Sequence, residues 1–114
     1  MNKPTLFIQI TNHFDPIWRR GFNTPLTFEG MLFRPYVDVE AAYILDNMQL
    51  CRAHPGYRFE IESAIVARTF LERHPRRRAV FLRLAAEGRL AVSGAGENII
   101  DTNLVLGESI VRNY

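Results

Sequence analysis

The chain has 114 residues, of which 47% are hydrophobic and 23% are charged, a balance typical of a globular domain and unlike that of a disordered protein. Its formal net charge of +2 is too small to indicate a nucleic-acid partner. No apolar run approaches the ~20 residues that cross a membrane. The single cysteine excludes a disulfide framework and fits a reducing compartment, so a cytoplasmic protein is expected.

The first predicted element is a strand over residues 5–11, "TLFIQIT", which has no signal-peptide pattern. It ends before Pro16, because proline cannot donate a hydrogen bond to a ladder. A long loop rich in aromatic residues is predicted to continue to Pro35. A helix follows in "YVDVEAAYILDNMQLCRAHPG", where apolar residues recur at steps of three and four as far as Cys51. Cys51 is therefore predicted to be a core thiol and not a nucleophile.

The second half of the chain alternates strands with helices. The sequence predicts strands in "YRFEIES" (57–63) and "RLAVSG" (89–94), separated by helical sequence that can restart at Pro75. Another helix is predicted in "LVLGESIVRNY", and the basic cluster "ERHPRRR" is predicted to be a solvated helix start. The order indicates an α/β fold of parallel βα units. A closed parallel barrel needs roughly 250 residues, so this chain holds about three such units. It is therefore either a small open sheet or the first part of a larger fold.

Polar side chains follow all three predicted strands. In parallel sheets, ligands bind at the carboxyl ends of the strands. The candidates are His13 and Asp15 after the first strand, Glu60 and Glu62 at the end of the second, and Glu97 and Asp101 after the third. Their coincidence at one edge of the sheet indicates a functional site.

Each candidate also has a structural interpretation. His13 and Asp15 point the same way in an extended segment and suit a divalent metal, or they belong to a turn ahead of Pro16. Trp18 either stacks on a flat ligand such as a sugar ring or fills the core. Asp101 is either a ligand or nucleophile, or the cap of the following helix.

Glu60 and Glu62 share one side of a strand that should be apolar on both faces. They therefore need a polar cavity, the surroundings of a metal, or an ion pair with Arg58 or Arg89.

Three motifs together resemble the start of a known catalytic domain. "HFDPIW" resembles the His-x-Asp-Pro-x-Trp signature of glycoside hydrolase family 38, the α-mannosidases. "FEIES" with the following "AR" is similar to the second-strand region of that family. "EGRLAVSGAGENIIDTN" resembles the stretch that ends in its catalytic aspartate, although "AGEN" stands here where the family usually has Gly-Gly-Trp. The likeness spans essentially the whole chain, with the motifs in the family's order and spacing.

The resemblance implies a fold and a set of roles. The fold would be the first part of a seven-stranded β/α barrel, so residues 1–114 would be an incomplete catalytic domain. His13 and Asp15 would bind Zn²⁺, and Asp101 would be both a zinc ligand and the nucleophile of a retaining glycosidase. Trp18 would lie against the terminal mannose. The family takes its acid/base and a further zinc-binding histidine from later in the chain, so this chain alone is expected to be inactive.

Two alternatives use the same residues differently. One is a related metal-dependent barrel such as a polysaccharide deacetylase, although such enzymes usually begin with an Asp-Asp pair that is absent here. The other is a non-catalytic carbohydrate-binding remnant, whose exposed sheet edge would allow a homo-oligomer to form. The expected partner is a carbohydrate, an α-mannoside in the leading interpretation, with neither nucleic acid nor membrane involved; the non-catalytic alternative could also bind another partner.

Overall fold

The structure is a computed structural model that describes residues 4–6, 8 and 21–93. Short strands and longer helices alternate in its second half. In chain order the elements are β1 (Leu26–Phe28), β2 (Met31–Phe33), α1 (Tyr36–Ala53), β3 (Phe59–Ile61), α2 (Ala64–Arg73), a 3₁₀ turn (Pro75–Arg77), α3 (Arg78–Ala86) and β4 (Leu90–Val92).

The predicted loop before the first helix contains a β-hairpin, so the loop prediction is wrong there. β1 and β2 pair antiparallel, with Leu26 opposite Phe33. The two residues between them, Glu29 and Gly30, have φ values of 49° and 77°. Positive φ at both central residues is what the tightest hairpin turns need, and glycine meets it without steric cost. Leu32 is 75% exposed, so the hairpin lacks the alternation of buried apolar and exposed polar residues that predicts a strand.

Helix α1 follows the predicted apolar pattern. Val37, Ala41, Ile44, Met48 and Cys51 are all buried, as their spacing predicts. The helix ends at Ala53, because His54 precedes a proline and adopts the extended backbone that this position favours.

The segment from β3 to β4 forms the predicted parallel unit. β3 pairs parallel with β4, with Phe59 opposite Leu90 and Ile61 opposite Val92. Between them, α2 ends at Arg73 and the chain restarts at Pro75, which occupies the first position of the 3₁₀ turn. The rings of Phe70 and Phe81 lie 5.8 Å apart and join α2 to α3. The prediction of two strands and a divided helix is confirmed here.

The helices of the described segment gather on one face of this parallel pair. Phe59 and Ile61 are 0% and 1% exposed, and their spacing of two directs them to the same face. The apolar core on that face combines side chains from α1, α2 and α3 with Leu90. Glu60 points to the opposite face, where its register partner Ala91 is exposed.

The first predicted strand is not formed where the structure describes it. Thr5, Leu6 and Ile8 take part in no ladder, and Leu6 and Ile8 are 82% and 84% exposed. A β-rich sequence becomes a strand through packing on cross-strand neighbours, which these residues lack in the described part of the chain. The helix predicted in residues 104–114 lies outside the described residues. Among the described helices, none is both long enough and apolar enough to traverse a bilayer.

Candidate functional site

The residues predicted to bind zinc and sugar lie outside the described part of the chain. They are His13, Asp15, Trp18 and Asp101, and Glu97 lies outside it too. Their roles stay predictions. The structure does describe the carboxyl ends of β3 and β4.

Parallel pairing brings the carboxyl ends of β3 and β4 to one edge of the sheet. The backbone N–H of Ser93 donates to the carbonyl of Ile61 at 3.0 Å, so the pairing continues one residue beyond β4. Glu62 and Ser63 leave β3 at the same edge. We call Glu62, Ser63 and Ser93 the carboxyl edge. It brings one half-buried carboxylate and two hydroxyls to the strand ends, and such groups can bind sugar hydroxyls or a cation. Glu60 is the middle residue of β3 and lies on the same side of the strand as Glu62.

Ser63 is the most enclosed residue of the carboxyl edge. It is 1% exposed, and its Oγ has no hydrogen-bond partner within the described structure. It occupies the N-cap of α2 but makes no side-chain cap. A buried hydroxyl without a hydrogen-bond partner costs about 1–3 kcal/mol. A ligand that formed a hydrogen bond with the Ser63 hydroxyl would therefore recover part of this cost. Sequence reasoning missed it, although serine directly before a helix is a recognisable signal.

Tyr43 ties the middle of β3 to α1. Its hydroxyl donates to the backbone carbonyl of Glu60 at 3.2 Å, and its ring meets Phe59 edge-on at 6.3 Å. Burial, followed by the negative charges of Tyr57, Glu40 and Glu60, raises the pKa of Tyr43. The hydroxyl therefore keeps its proton and stays a donor to β3 throughout the physiological range.

A second polar contact secures the entry to β3. Asn47 is 5% exposed and donates through Nδ2 to the carbonyl of Tyr43 at 2.8 Å. Its Oδ1 accepts a hydrogen bond of 2.5 Å from the hydroxyl of Tyr57. The apolar pattern of α1 gave no sign of this buried asparagine. Together Tyr43 and Asn47 hold β3, and with it the carboxyl edge, at a fixed position against α1.

The two arginines considered as partners for the strand acids have other contacts. Arg58 donates to the carbonyl of Gly56 at 3.1 Å. Arg89 lies 3.7 Å from a carboxylate oxygen of Glu87 and donates to the carbonyls of His54 and Tyr57. Arg58 directly precedes β3 and Arg89 directly precedes β4, so both arginines lie at the amino end of the parallel pair.

Cys51 is a core thiol, as predicted. It is 1% exposed, and its Sγ lies 3.7 Å from the carbonyl of Tyr57. Burial raises the pKa of the Cys51 thiol, an effect that the nearby charge of Arg89 partly opposes. A raised pKa reduces the thiolate that a nucleophile needs.

The described residues contain no group of three or more His, Cys, Asp or Glu side chains that could hold a metal ion. The proposed donor set, one imidazole and two carboxylates from His13, Asp15 and Asp101, lies outside them. Zinc accepts nitrogen and oxygen ligands of these types, so the residue chemistry fits the ion.

No protein-family model, no curated protein and no solved structure matches this chain. The α-mannosidase interpretation therefore rests on the three motifs quoted above and on the topology of the described segment.

Proposed function

We propose that this chain is the N-terminal part of a zinc-dependent retaining glycosidase that hydrolyses α-mannosides. The observation that carries the proposal is the "HFDPIW" motif, followed in order by "FEIES" and by the stretch that ends in Asp101. His-x-Asp provides two adjacent zinc ligands, and the tryptophan that follows provides a surface for a sugar ring.

The topology of the described segment supports this proposal. β3 and β4 are parallel and adjacent, and the chain between them is helical. The helices of this segment share one face of the pair, and Glu60 lies on the other. A β/α barrel has this layering, with helices outside and strand side chains inside, and its active site lies at the carboxyl ends of the strands.

Each proposed residue has a separate task. His13, Asp15 and Asp101 would hold the zinc ion, which supplies a positive charge that binds neighbouring sugar hydroxyls. Trp18 would orient the ring by contact with its apolar face. The carboxylate of Asp101 attacks the anomeric carbon while the glycosidic C–O bond breaks, and water later releases the sugar from Asp101. In the family that this chain resembles, the acid that protonates the leaving oxygen lies farther along the sequence.

Zinc content tests the metal-binding part of the proposal. We expect about one zinc per chain after dialysis, measured by plasma mass spectrometry. Removing even an outer partner of a metal ligand costs about 10–100-fold in affinity, so His13→Ala and Asp15→Ala should each lose at least as much. The matched controls are His54→Ala and Asp46→Ala, which remove the same groups from exposed positions of α1 and its cap. Equal zinc content in all five proteins would overturn the proposal.

Sugar binding tests the substrate part. Trp18 is the single tryptophan, so intrinsic tryptophan fluorescence reports on this position alone. Methyl α-mannoside should change the fluorescence of the zinc-loaded chain, whereas methyl α-galactoside should have a smaller effect. Asp101→Asn should weaken the response. An identical response to both sugars would argue against a mannose site while leaving zinc binding intact.

A further inference from the structure

A cavity opens between α1 and α3, away from the carboxyl edge. Its volume is about 450 Å³, which lies within the range of roughly 300–1,000 Å³ typical of small-molecule sites. Its apolar lining includes Met48, Cys51 and Leu84, which are 7%, 1% and 3% exposed and belong to the protein core. The apolar part of the cavity wall is therefore formed by residues that pack in the core.

The charged residues that line this cavity are four arginines and one glutamate, namely Arg52, Arg77, Arg83, Arg89 and Glu87. Glu87 lies 3.7 Å from both Arg83 and Arg89, so its charge is already matched. Arg89 is further occupied by backbone carbonyls. The cavity thus carries a net positive charge that its own carboxylate does not neutralise.

Arg52 and Arg77 provide most of this excess. Arg52 lies in the last turn of α1, and Arg77 ends the 3₁₀ turn, so the two approach the cavity from different elements. Both residues are exposed. Arg77 also directly precedes α3, whose N-terminal end carries a positive partial charge.

We propose that this cavity binds a small organic anion, one with an apolar body and a single carboxylate, sulfonate or phosphate group. The apolar body lies against Met48 and Leu84, and the anionic group meets Arg52 and Arg77. Charge complementarity favours an anion over a cation or a neutral molecule, because the lining arginines outnumber the single carboxylate. The volume of about 450 Å³ suits a small molecule. None of the lining residues belongs to the set proposed to bind zinc.

A pair of fluorescent probes tests this proposal on the full chain. Anilinonaphthalene sulfonate has an apolar ring system with one negative charge, and N-phenylnaphthylamine is its neutral counterpart. The double variant Arg52→Gln/Arg77→Gln should bind the anionic probe about three- to tenfold more weakly, as expected for two exposed charges. Arg76→Gln/Arg78→Gln is the matched control, because it removes the same charge from exposed neighbours that do not line the cavity.

A second variant checks the cavity without removing an arginine. Gln49→Glu places a negative charge at an exposed lining position and should also weaken binding of the anionic probe. Preference of the native chain for the anionic probe, lost in both lining variants and kept in the control, supports the proposal. Equal binding of both probes, no binding of either, or equal loss in the two double variants would overturn it. Far-ultraviolet circular dichroism checks that each variant is folded.

Discussion

The side chain of Arg89 caps the C-terminal end of α1, because its guanidinium donates a hydrogen bond to the backbone carbonyl of Cys51. The same Nη2 donates to the carbonyl of His54 at 2.8 Å, and the side chain is 17% exposed. The last carbonyls of a helix have no intrahelical donor and carry a negative partial charge, so a fixed cation is favourable there. Since Arg89 directly precedes β4, this contact fixes the start of β4 against α1.

Arg89→Gln should therefore destabilise the protein. The substitution leaves partly buried carbonyls without a charged donor, which costs about 1–3 kcal/mol in the free energy of unfolding. Urea denaturation followed by circular dichroism measures this loss. The control is Arg83→Gln, whose side chain is 66% exposed and pairs with Glu87 on the surface, and we expect a change of less than about 0.5 kcal/mol. Equal losses in the two variants would show that the cap adds nothing to stability.

Gly88 ends α3 in a conformation that other residues adopt at a cost. Its φ is 65°, its N–H donates to the carbonyl of Ala85 at 3.0 Å, and the next N–H donates to Leu84 at 2.9 Å. This is the Schellman arrangement that closes helices. Gly88→Ala should cost about 1–2 kcal/mol in the free energy of unfolding, because the added Cβ strains the left-handed backbone.

Gly56→Ala is the matched control for Gly88→Ala. An added Cβ meets nothing within 4 Å at either glycine, but only Gly88 has positive φ. Thermal denaturation of both variants separates backbone strain from steric contact. If Gly56→Ala were as destabilising as Gly88→Ala, backbone conformation would not explain the loss.

The hydrogen bond between Tyr57 and Asn47 should be measurable by substitution. Tyr57→Phe removes the hydroxyl and leaves Oδ1 of a buried asparagine without this donor, at a cost of about 1–2 kcal/mol. A double-mutant cycle with Asn47→Ala tests the contact directly, since residues that share a hydrogen bond couple by about 0.5–3 kcal/mol. Additive losses would mean that the two side chains act independently.

The sequence predicted the elements that bury an apolar stripe or that are bounded by a helix-breaking residue such as proline. α1 has five apolar residues at helical spacing, and Pro75 marks the division between α2 and the following turn. The hairpin escaped prediction because Leu32 and its neighbours are exposed apolar residues, and because a glutamate with positive φ is uncommon.

The polar contacts were less predictable than the elements. Asn47 and Ser63 are buried, yet a pattern that counts apolar residues assigns both to the surface. The cap formed by Arg89 joins residues 38 positions apart, and no local pattern encodes such a contact. For the candidate site, the structure places Glu62 directly after β3, as predicted, whereas Glu60 is the middle residue of β3. Ser63 follows Glu62 at the N-cap of α2.

The buried thiol of Cys51 gives the protein a predictable dependence on pH. Burial raises its pKa above the ordinary value of 9.0, so the folded state keeps the proton at pH values where the unfolded state has begun to lose it. The stabilising effect of this raised pKa is fully present below the ordinary pKa. It is lost as pH rises through that value toward the pKa of the folded state, because the unfolded state then binds fewer protons.

We therefore expect the free energy of unfolding to fall as the pH rises above about 9, by no more than ~1.4 kcal/mol per pH unit from this group. Urea titrations at several pH values measure the slope, and the same titrations of Cys51→Ala provide the reference. The variant should be less stable at neutral pH, because it loses a buried side chain, but its slope should be shallower. Iodoacetamide should modify the native thiol far more slowly than the urea-unfolded thiol at the same pH. Equal slopes in the two proteins, or rapid modification of the native chain, would contradict a buried protonated Cys51.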